Sequence, residues 1–254
     1  MVGWATDKHA LITGGGSGIG AAAARMLAAE GARLSLLGRR REPLEELAAE
    51  IGGTAIPCDV TERSSLEDAF DTARKANGPL DLVILNAGIG DSAPFQRTSR
   101  ASFDRIIATN LTALFDGAQL ALPDLLDGSD KRLIVVASVA GLKGAAYAAP
   151  YVASKHGAVG LVKSLALEFA RSGLTINAIC PAFVDTPMVD ESAARISRAT
   201  RRSAEESRAA LAALNANGRL VTAEEVGAAI LNLCHPLSRS INGACVTIDG
   251  GTSA

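Results

Sequence analysis

The chain has 254 residues, a length that α/β proteins commonly fold as one domain, and it can bury roughly three quarters of its unfolded surface. Hydrophobic residues make up 48% and aromatics only 4%, so Ala, Val, Leu and Ile must build the core, as in parallel strands buried on both faces. A net charge of −2 excludes a general polyanion binder such as a nucleic-acid protein.

From the amino end, short apolar runs alternate with longer stretches of helical spacing. His9–Thr13 predicts a strand, followed by a glycine-rich turn and a helix over Ile19–Glu30 that Gly31 stops. Arg33–Leu37 is the next strand and Glu42–Ile51 the next helix, then strand Thr54–Pro57 and helix Ser64–Asn77, with Thr61 and Ser64 as start signals. Strand Leu80–Leu85 leads to a long helix, Arg100–Leu126, and strand Arg132–Ala137 to helix Ala149–Ser172. Strand Leu174–Cys180, helix Ala223–Leu233 behind Thr222, and strand Ala244–Ile248 complete the order. Such alternation implies right-handed crossovers and one domain, 1–254: a doubly wound, seven-stranded parallel sheet with helices on both faces. Phe183 to Gly218 breaks the rhythm as a polar, Ala- and Arg-rich insertion at a strand's carboxyl end, and is read as a substrate lid.

Cys58, Cys180, Cys234 and Cys245 are scattered, with no C-x-x-C pair and no histidine cluster, so reduced thiols are expected and no metal site. Met1 to Lys8 lacks the apolar stretch of a signal peptide, and no apolar run reaches the roughly 18 residues of a membrane span. A cytoplasmic protein is the expectation.

Directly after the first strand stands Thr13-Gly14-Gly15-Gly16-Ser17-Gly18-Ile19-Gly20, running into a helix. Glycines serve where the backbone turns tightly and where a pyrophosphate approaches the amides of a helix N-terminus. Asp59-Val60 follows the third strand and Asn86-Ala87-Gly88 ends the fourth. The T-G-x-x-x-G-x-G turn and these two segments, in this order, resemble the short-chain dehydrogenase/reductase family, and with them a Rossmann-type dinucleotide fold. That resemblance implies that Gly14, Ser17, Gly18, Ile19 and Gly20 hold the pyrophosphate side, that Asp59 and Val60 meet the adenine, and that Asn86, Ala87 and Gly88 lie beside its ribose.

NAD enzymes place an acid about 20 residues after the glycine turn to hold the ribose 2′-hydroxyl. Here Leu37-Gly38-Arg39-Arg40-Arg41 offers none. A guanidinium forks onto a 2′-phosphate that a carboxylate would repel, so Arg39 favours NADP(H) over NAD(H). Ser17 weighs on the other side, since NADP-preferring relatives often carry Lys or Arg there.

Tyr151 and Lys155 are spaced i, i+4 on one predicted helix and share a face. Ser138 precedes Tyr151 by 13 residues at the end of the fifth strand, and Asn110 lies in the preceding long helix. Together they match the family's Ser-Tyr-Lys-Asn set. Reducing a ketone needs a proton donor as hydride arrives; tyrosine can serve, but its ordinary pKa is about 10. A neighbouring ammonium at about 4 Å, with an effective dielectric near 20, supplies roughly the 4 kcal/mol that a shift toward neutrality requires. Lys155 is expected to do so and, by resemblance, to bind the nicotinamide ribose. Ser138 is expected to orient the substrate oxygen, and Asn110 to hold a water linking Lys155 to solvent. After the sixth strand, Pro181-Ala182 stands where relatives usually have Pro-Gly, and Thr186 with the amide of Val184 would reach the nicotinamide carboxamide.

The insertion carries Arg195, Arg198, Arg201, Arg202 and Arg208, with 195, 198 and 202 on one helical face, a cationic lid suited to a coenzyme A or carrier thioester. The stretch Asn217 to Val226 and the ending Asp249-Gly250-Gly251 resemble 3-oxoacyl reductases and 3-hydroxyacyl-CoA dehydrogenases. A 3-oxoacyl or 3-hydroxyacyl thioester is therefore the leading expected substrate. A small cyclic or aryl secondary alcohol is the alternative, with room left by Gly144, Ala145, Ala146, Ala148 and Ala149. A nucleotide-sensing protein without turnover is the remote third reading. The resemblance also implies a homotetramer formed through the helices bearing Asn110 and Tyr151.

Overall fold

The apolar runs pair as seven parallel strands in the computed structural model, which describes residues 3–254: β1 (His9–Thr13), β2 (Arg33–Gly38), β3 (Thr54–Pro57), β4 (Leu82–Leu85), β5 (Lys131–Val136), β6 (Leu174–Pro181) and β7 (Cys245–Ile248). Their order is β3-β2-β1-β4-β5-β6-β7. Successive side chains of a strand reach opposite faces, and here both faces are core. Leu11, Val83 and Leu133 pack with α3 (Arg63–Asn77), α5 (Ala113–Leu125) and α6 (Ala149–Glu168). Ile12, Ile84 and Ile134 pack with α1 (Gly18–Ala29), α2 (Arg41–Ile51) and α9 (Ala223–Cys234). That double burial explains why the strands read as unbroken apolar runs. The winding direction reverses between β1 and β4, and the crevice outside the strand ends at such a reversal is where doubly wound sheets bind ligands.

Most ends shift by a residue, and the larger differences from the sequence reading lie at β4, at the long helix, at the end of α6 and at the start of α3. Leu80 is buried but lies outside β4. The long helix expected over Arg100–Leu126 is two helices, α4 (Arg100–Ile107) and α5, joined by a π-helical turn at Ala108–Thr112 that contains Asn110. Helix α6 stops at Glu168, ahead of the left-handed Gly173 that precedes β6. Thr61 does not cap α3; its N–H and hydroxyl bond the Asp59 carboxylate instead, 3.0 and 2.7 Å away.

The 183–218 insertion folds as α7 (Pro187–Ala199) and α8 (Ala204–Ala212) around a small core of Val189, Ala193 and Leu211. The arginine stripe does not form, because Arg201 and Arg202 lie in the turn between the helices. Ser203 starts a new helix there through a capping box with Glu206. Arg208 bonds both Asp185 and Asp190, which removes a third cation from the expected lid surface.

At the sheet's amino edge, polar side chains are buried in pairs. His9 bonds the Gly78 carbonyl and the Ser35 hydroxyl, each at 2.8 Å. Lys131 pairs with Asp81 at 2.9 Å, and the fully buried Arg132 with Asp130. Among the described residues no helix is long and apolar enough to cross a membrane, and no group of three or more potential ligands could hold a metal. All four cysteines are free thiols.

Candidate active site

Strand β1 delivers the glycine turn to the crevice. Gly14 is left-handed (φ 65°), and a Cβ on Gly20 would lie 2.3 Å from the Gly14 carbonyl oxygen, so no side chain fits there. The Asn86 side chain donates to the carbonyls of Thr13 and Gly14 (2.9 and 3.1 Å), while the Thr13 hydroxyl accepts the N–H groups of Asn86 and Ala87 (3.0 and 3.1 Å). These bonds lock the ends of β1 and β4 together. Ser17 precedes α1 without capping it, and the first turn holds no acid. The helix end at Gly18, Ile19 and Gly20 therefore faces the crevice uncompensated, as an anion requires. A Cβ on Gly18 would lie 2.9 Å from Thr186 Cγ2, so glycine lets the loop after β6 close over the turn.

At the end of β2, Arg39 and Arg40 are both exposed. Arg40 donates to the Ser17 hydroxyl at 2.7 Å, so a guanidinium occupies the station where Ser17 lacked a charge. Sequence reasoning put the weight on Arg39 and passed over Arg40; the signal was present in the run of three arginines. Asp59 is held below the usual carboxylate range by the Thr61 bonds first, with Arg39 assisting. Both Thr61 bonds go to Oδ1. Val60 beside it is buried in the core. An uncapped helix end, a glycine cradle and two guanidinia fit a nicotinamide dinucleotide, with the basic pair where its adenine ribose would lie.

Ser138 follows β5 by two residues; its hydroxyl donates to the Pro181 carbonyl at 3.4 Å, accepts the Ala140 N–H at 3.1 Å and stands near the Tyr151 phenol. Tyr151 as a whole is half-buried, but its phenol end lies deep, and burial pushes it above the ordinary tyrosine value against the opposing pull of the Ser138 hydroxyl. Lys155 is 5% exposed; burial pulls it down to about 8. Its ammonium donates to the Val136 carbonyl at 2.8 Å and stands 5.7 Å from the Tyr151 ring centre. The expectation of a phenol acidified by Lys155 is therefore corrected for the protein alone. Desolvation dominates, and the ammonium lies beside the ring. A Cβ on Gly88 would come within 3.4 Å of Asn110 Oδ1 and 3.7 Å of Lys155 Nζ, so the bare Gly88 backbone gathers these groups.

Asn110 is 2% exposed at the π turn, a distortion common at functional sites. Its side chain accepts the Ile89 N–H (2.9 Å) and donates to the Ile89 carbonyl (3.0 Å) and to the Ser154 hydroxyl (3.2 Å). Both amide donors are spent, which leaves the second lone pair of Oδ1 to accept from the water expected on this side chain. Ser154 in turn donates to the Tyr151 carbonyl at 2.7 Å. Asn110 thus braces the post-β4 loop against α6 through Ser154, a residue the sequence reading missed although it lies three after Tyr151.

Pro181 ends β6 buried, and Ala182 donates to the Ile248 carbonyl at 3.2 Å outside the left-handed region, so alanine is unstrained where glycine is usual. Val184 bridges to Val221 at the base of the insertion. A Cβ on Gly90 would lie 3.5 Å from Met188 Sδ, which places the start of α7 over the post-β4 loop. The crevice thus joins a hydroxyl pair able to exchange a proton with a carbonyl oxygen to a cradle for a dinucleotide.

The family profile described as short chain dehydrogenase matches residues 8–197. Levodione reductase of Leifsonia aquatica is 35% identical, over 98% of this chain and 95% of its own. D-beta-hydroxybutyrate dehydrogenase of Cupriavidus necator is 36% identical over 96% of this chain and 97% of its own. A crystal structure of an actinorhodin polyketide ketoreductase variant with NADPH superposes with a TM-score of 0.93 at 32% identity, covering 99% of both chains.

Proposed function

The chain belongs to the short chain dehydrogenase family and is an NAD(P)-dependent oxidoreductase of secondary alcohols and ketones, and from that premise we propose that Tyr151, Ser138 and Lys155 carry the reaction and that NADP(H) is preferred. The observation that carries the assignment is the gathering of Ser138, Tyr151 and Lys155 at the end of β5, with the buried Ser138 hydroxyl on the Pro181 carbonyl, the Lys155 ammonium on the Val136 carbonyl and that ammonium 5.7 Å from the Tyr151 ring centre. A bound nicotinamide supplies or accepts the hydride. Ser138 holds the substrate oxygen, and Tyr151 gives that oxygen its proton in reduction and takes it in oxidation. Lys155 lies close enough to Gly88 to reach ribose hydroxyls, and a cation there lowers the phenol once the crevice is filled. Asn110 positions Lys155 and Tyr151 through Ser154 and the post-β4 loop. Tyr151→Phe is expected to lose turnover by about 10³-fold or more, since a proton-transfer group is worth roughly 10²–10⁴, while cofactor affinity survives. Retained turnover would remove the acid/base role.

The NADP(H) preference is supported by Arg39 and Arg40 with Ser17 at the end of β2, and by the absence of an acid there. For the substrate, a neutral hydrophobic ketone or secondary alcohol, cyclic or aryl, fits best. Arg208 is committed to Asp185 and Asp190, and Arg201 and Arg202 leave the helical face, so the cations a thioester phosphate would need are dispersed. The 3-oxoacyl thioester reading keeps the likeness to a polyketide ketoreductase. Salt separates the two: a KM for acetoacetyl-CoA that rises steeply with ionic strength favours the thioester, and a salt-independent KM for a cyclic ketone favours the neutral substrate. The insertion at 183–218 serves as the lid in either case. A homotetramer formed through α5 and α6 is supported by an apolar groove between them, lined by Leu111, Phe115, Gly157, Gly160 and Leu161, with Phe115 49% exposed. A monomeric sedimentation profile would remove it.

A further inference from the structure

Among the described residues, three that are not glycine adopt the left-handed backbone: Asp7, Asp130 and Tyr147. Aspartate tolerates that region through its short polar side chain, whereas for a bulky residue it is an outlier that the surroundings must enforce. At Tyr147 (φ 65°) packing does not repay the strain, because the side chain is 67% exposed. Nor does the turn require tyrosine, since glycine would take this backbone freely. The station is nevertheless fixed. The Tyr147 carbonyl accepts the Ala93 N–H at 2.8 Å from the post-β4 loop, and the Ala148 carbonyl accepts the Val152 N–H at 2.8 Å in the helix that carries Tyr151. A strained, solvent-facing aromatic is thus held on the segment joining Ser138 to Tyr151.

Other exposed hydrophobics stand on the segments that follow β4, β5 and β6. Phe95 on the post-β4 loop is 76% exposed, and Leu142 and Phe183 about half as much, at 37% and 36%. Lys143 is the only charge between Val139 and Pro150, and its ammonium is bound to the Thr252 carbonyl. Large hydrophobics left in water on the carboxyl side of the sheet, with the local cation occupied, suit a ligand with a flat apolar body.

We propose that Tyr147 is a specificity-determining residue whose ring forms the platform for a planar hydrophobic substrate, a ketone or alcohol on a ring fused to or bearing an aryl group. This rests on the neutral-substrate reading above. Strain is tolerated at this position because the exposed ring contributes to binding, as left-handed outliers at functional sites commonly do.

The test is steady-state reduction of tetralone, a benzo-fused cyclic ketone, beside diacetyl, a small acyclic one, by the parent, Tyr147→Gly and Tyr147→Phe. Tyr147→Gly is expected to raise the KM for tetralone about 10- to 100-fold, or about 1.4–2.8 kcal/mol, with kcat within about twofold. The KM for diacetyl should stay within about twofold, and Tm should not fall, because glycine relieves the backbone. Tyr147→Phe should keep the parental KM for tetralone, since the ring is retained. An unchanged tetralone KM in Tyr147→Gly overturns the platform. So does an equal loss with both ketones, or a lowered Tm, either of which marks a structural residue. A parent that reduces diacetyl but not tetralone overturns the platform while leaving the ketone reductase reading standing. Loss of both activities in the parent strikes that reading itself.

Discussion

Replacing Lys155 with methionine should stabilise the protein while abolishing turnover. The buried ammonium titrates at about 8 against an ordinary 10.5, because burial penalises its charged form. Each tenfold change in proton affinity is worth about 1.4 kcal/mol, so the charge costs the fold roughly 3 kcal/mol at pH 7. Methionine fills much of the same volume and removes that cost, at the loss of the bond to the Val136 carbonyl, about 1 kcal/mol. The net gain is about 2 kcal/mol, or roughly 4–8 °C in Tm for a chain of this size. The sign fixes the pH dependence. Between about 8 and 10.5 the unfolded chain binds the proton that the folded chain has released, so parental stability from this group rises with pH. The advantage of Lys155→Met should therefore shrink to near zero by about pH 9.5. Urea unfolding of both proteins without cofactor, at neutral and alkaline pH, measures it. A variant less stable than the parent at pH 7, or a difference that does not change with pH, would refute the reasoning.

At the cofactor, each guanidinium onto an exposed phosphate should contribute about 1.5 kcal/mol, so Arg40→Ala and Arg39→Ala should each reduce the NADPH over NADH ratio of kcat/KM about tenfold. An unaltered ratio in the double variant would assign the preference elsewhere. Gly20→Ala, whose methyl would meet the Gly14 carbonyl at 2.3 Å, should weaken NADPH binding by about two orders of magnitude, read by titration. Burial holds His9 below its ordinary 6.5, so the unfolded chain takes up the proton more readily and stability from this residue falls as the pH drops below about 6.5. The Tm loss from pH 7.5 to pH 5.5 should accordingly be smaller in His9→Gln; an equal loss assigns the acid sensitivity to other groups.

Patterns that depend on one strand or one helical turn were legible in the residues. The double burial of Leu11 and Ile12 made the short apolar run Ala10–Ile12, and i, i+4 spacing put Tyr151 and Lys155 on one face. Thr222 and Glu225 announced α9, and Ser203 with Glu206 announced α8 in the same way, although the arginine spacing drew a single helix through it. What escaped depended on groups distant in the chain. The π turn at Asn110 has no composition of its own; its side chain bonds Ile89 and Ser154, 21 and 44 residues away. Arg40 stood out from its two arginine neighbours only when the start of α2 brought it against Ser17, 23 residues earlier. The proton affinity of Tyr151 could not be read from spacing either, because a neighbouring ammonium was weighed without the burial that outweighs it.

The two edges of the sheet separate support from chemistry. At the amino edge, Lys131 has Asp81, Arg132 has Asp130 and His9 has Ser35, while Arg132 Nε and the Thr175 hydroxyl have no partner among the described residues. At the carboxyl edge, the same chain keeps an ammonium that burial pushes down, a helix start without a cap and a left-handed tyrosine. Each lowers stability by a kilocalorie or more by ordinary measure. Scattered over the molecule they would be unrelated defects. Gathered around Tyr151 and the glycine turn, they share one remedy: a dinucleotide and a flat ketone would answer the open helix end and cover the exposed ring. The free protein should therefore gain stability when cofactor and substrate bind together.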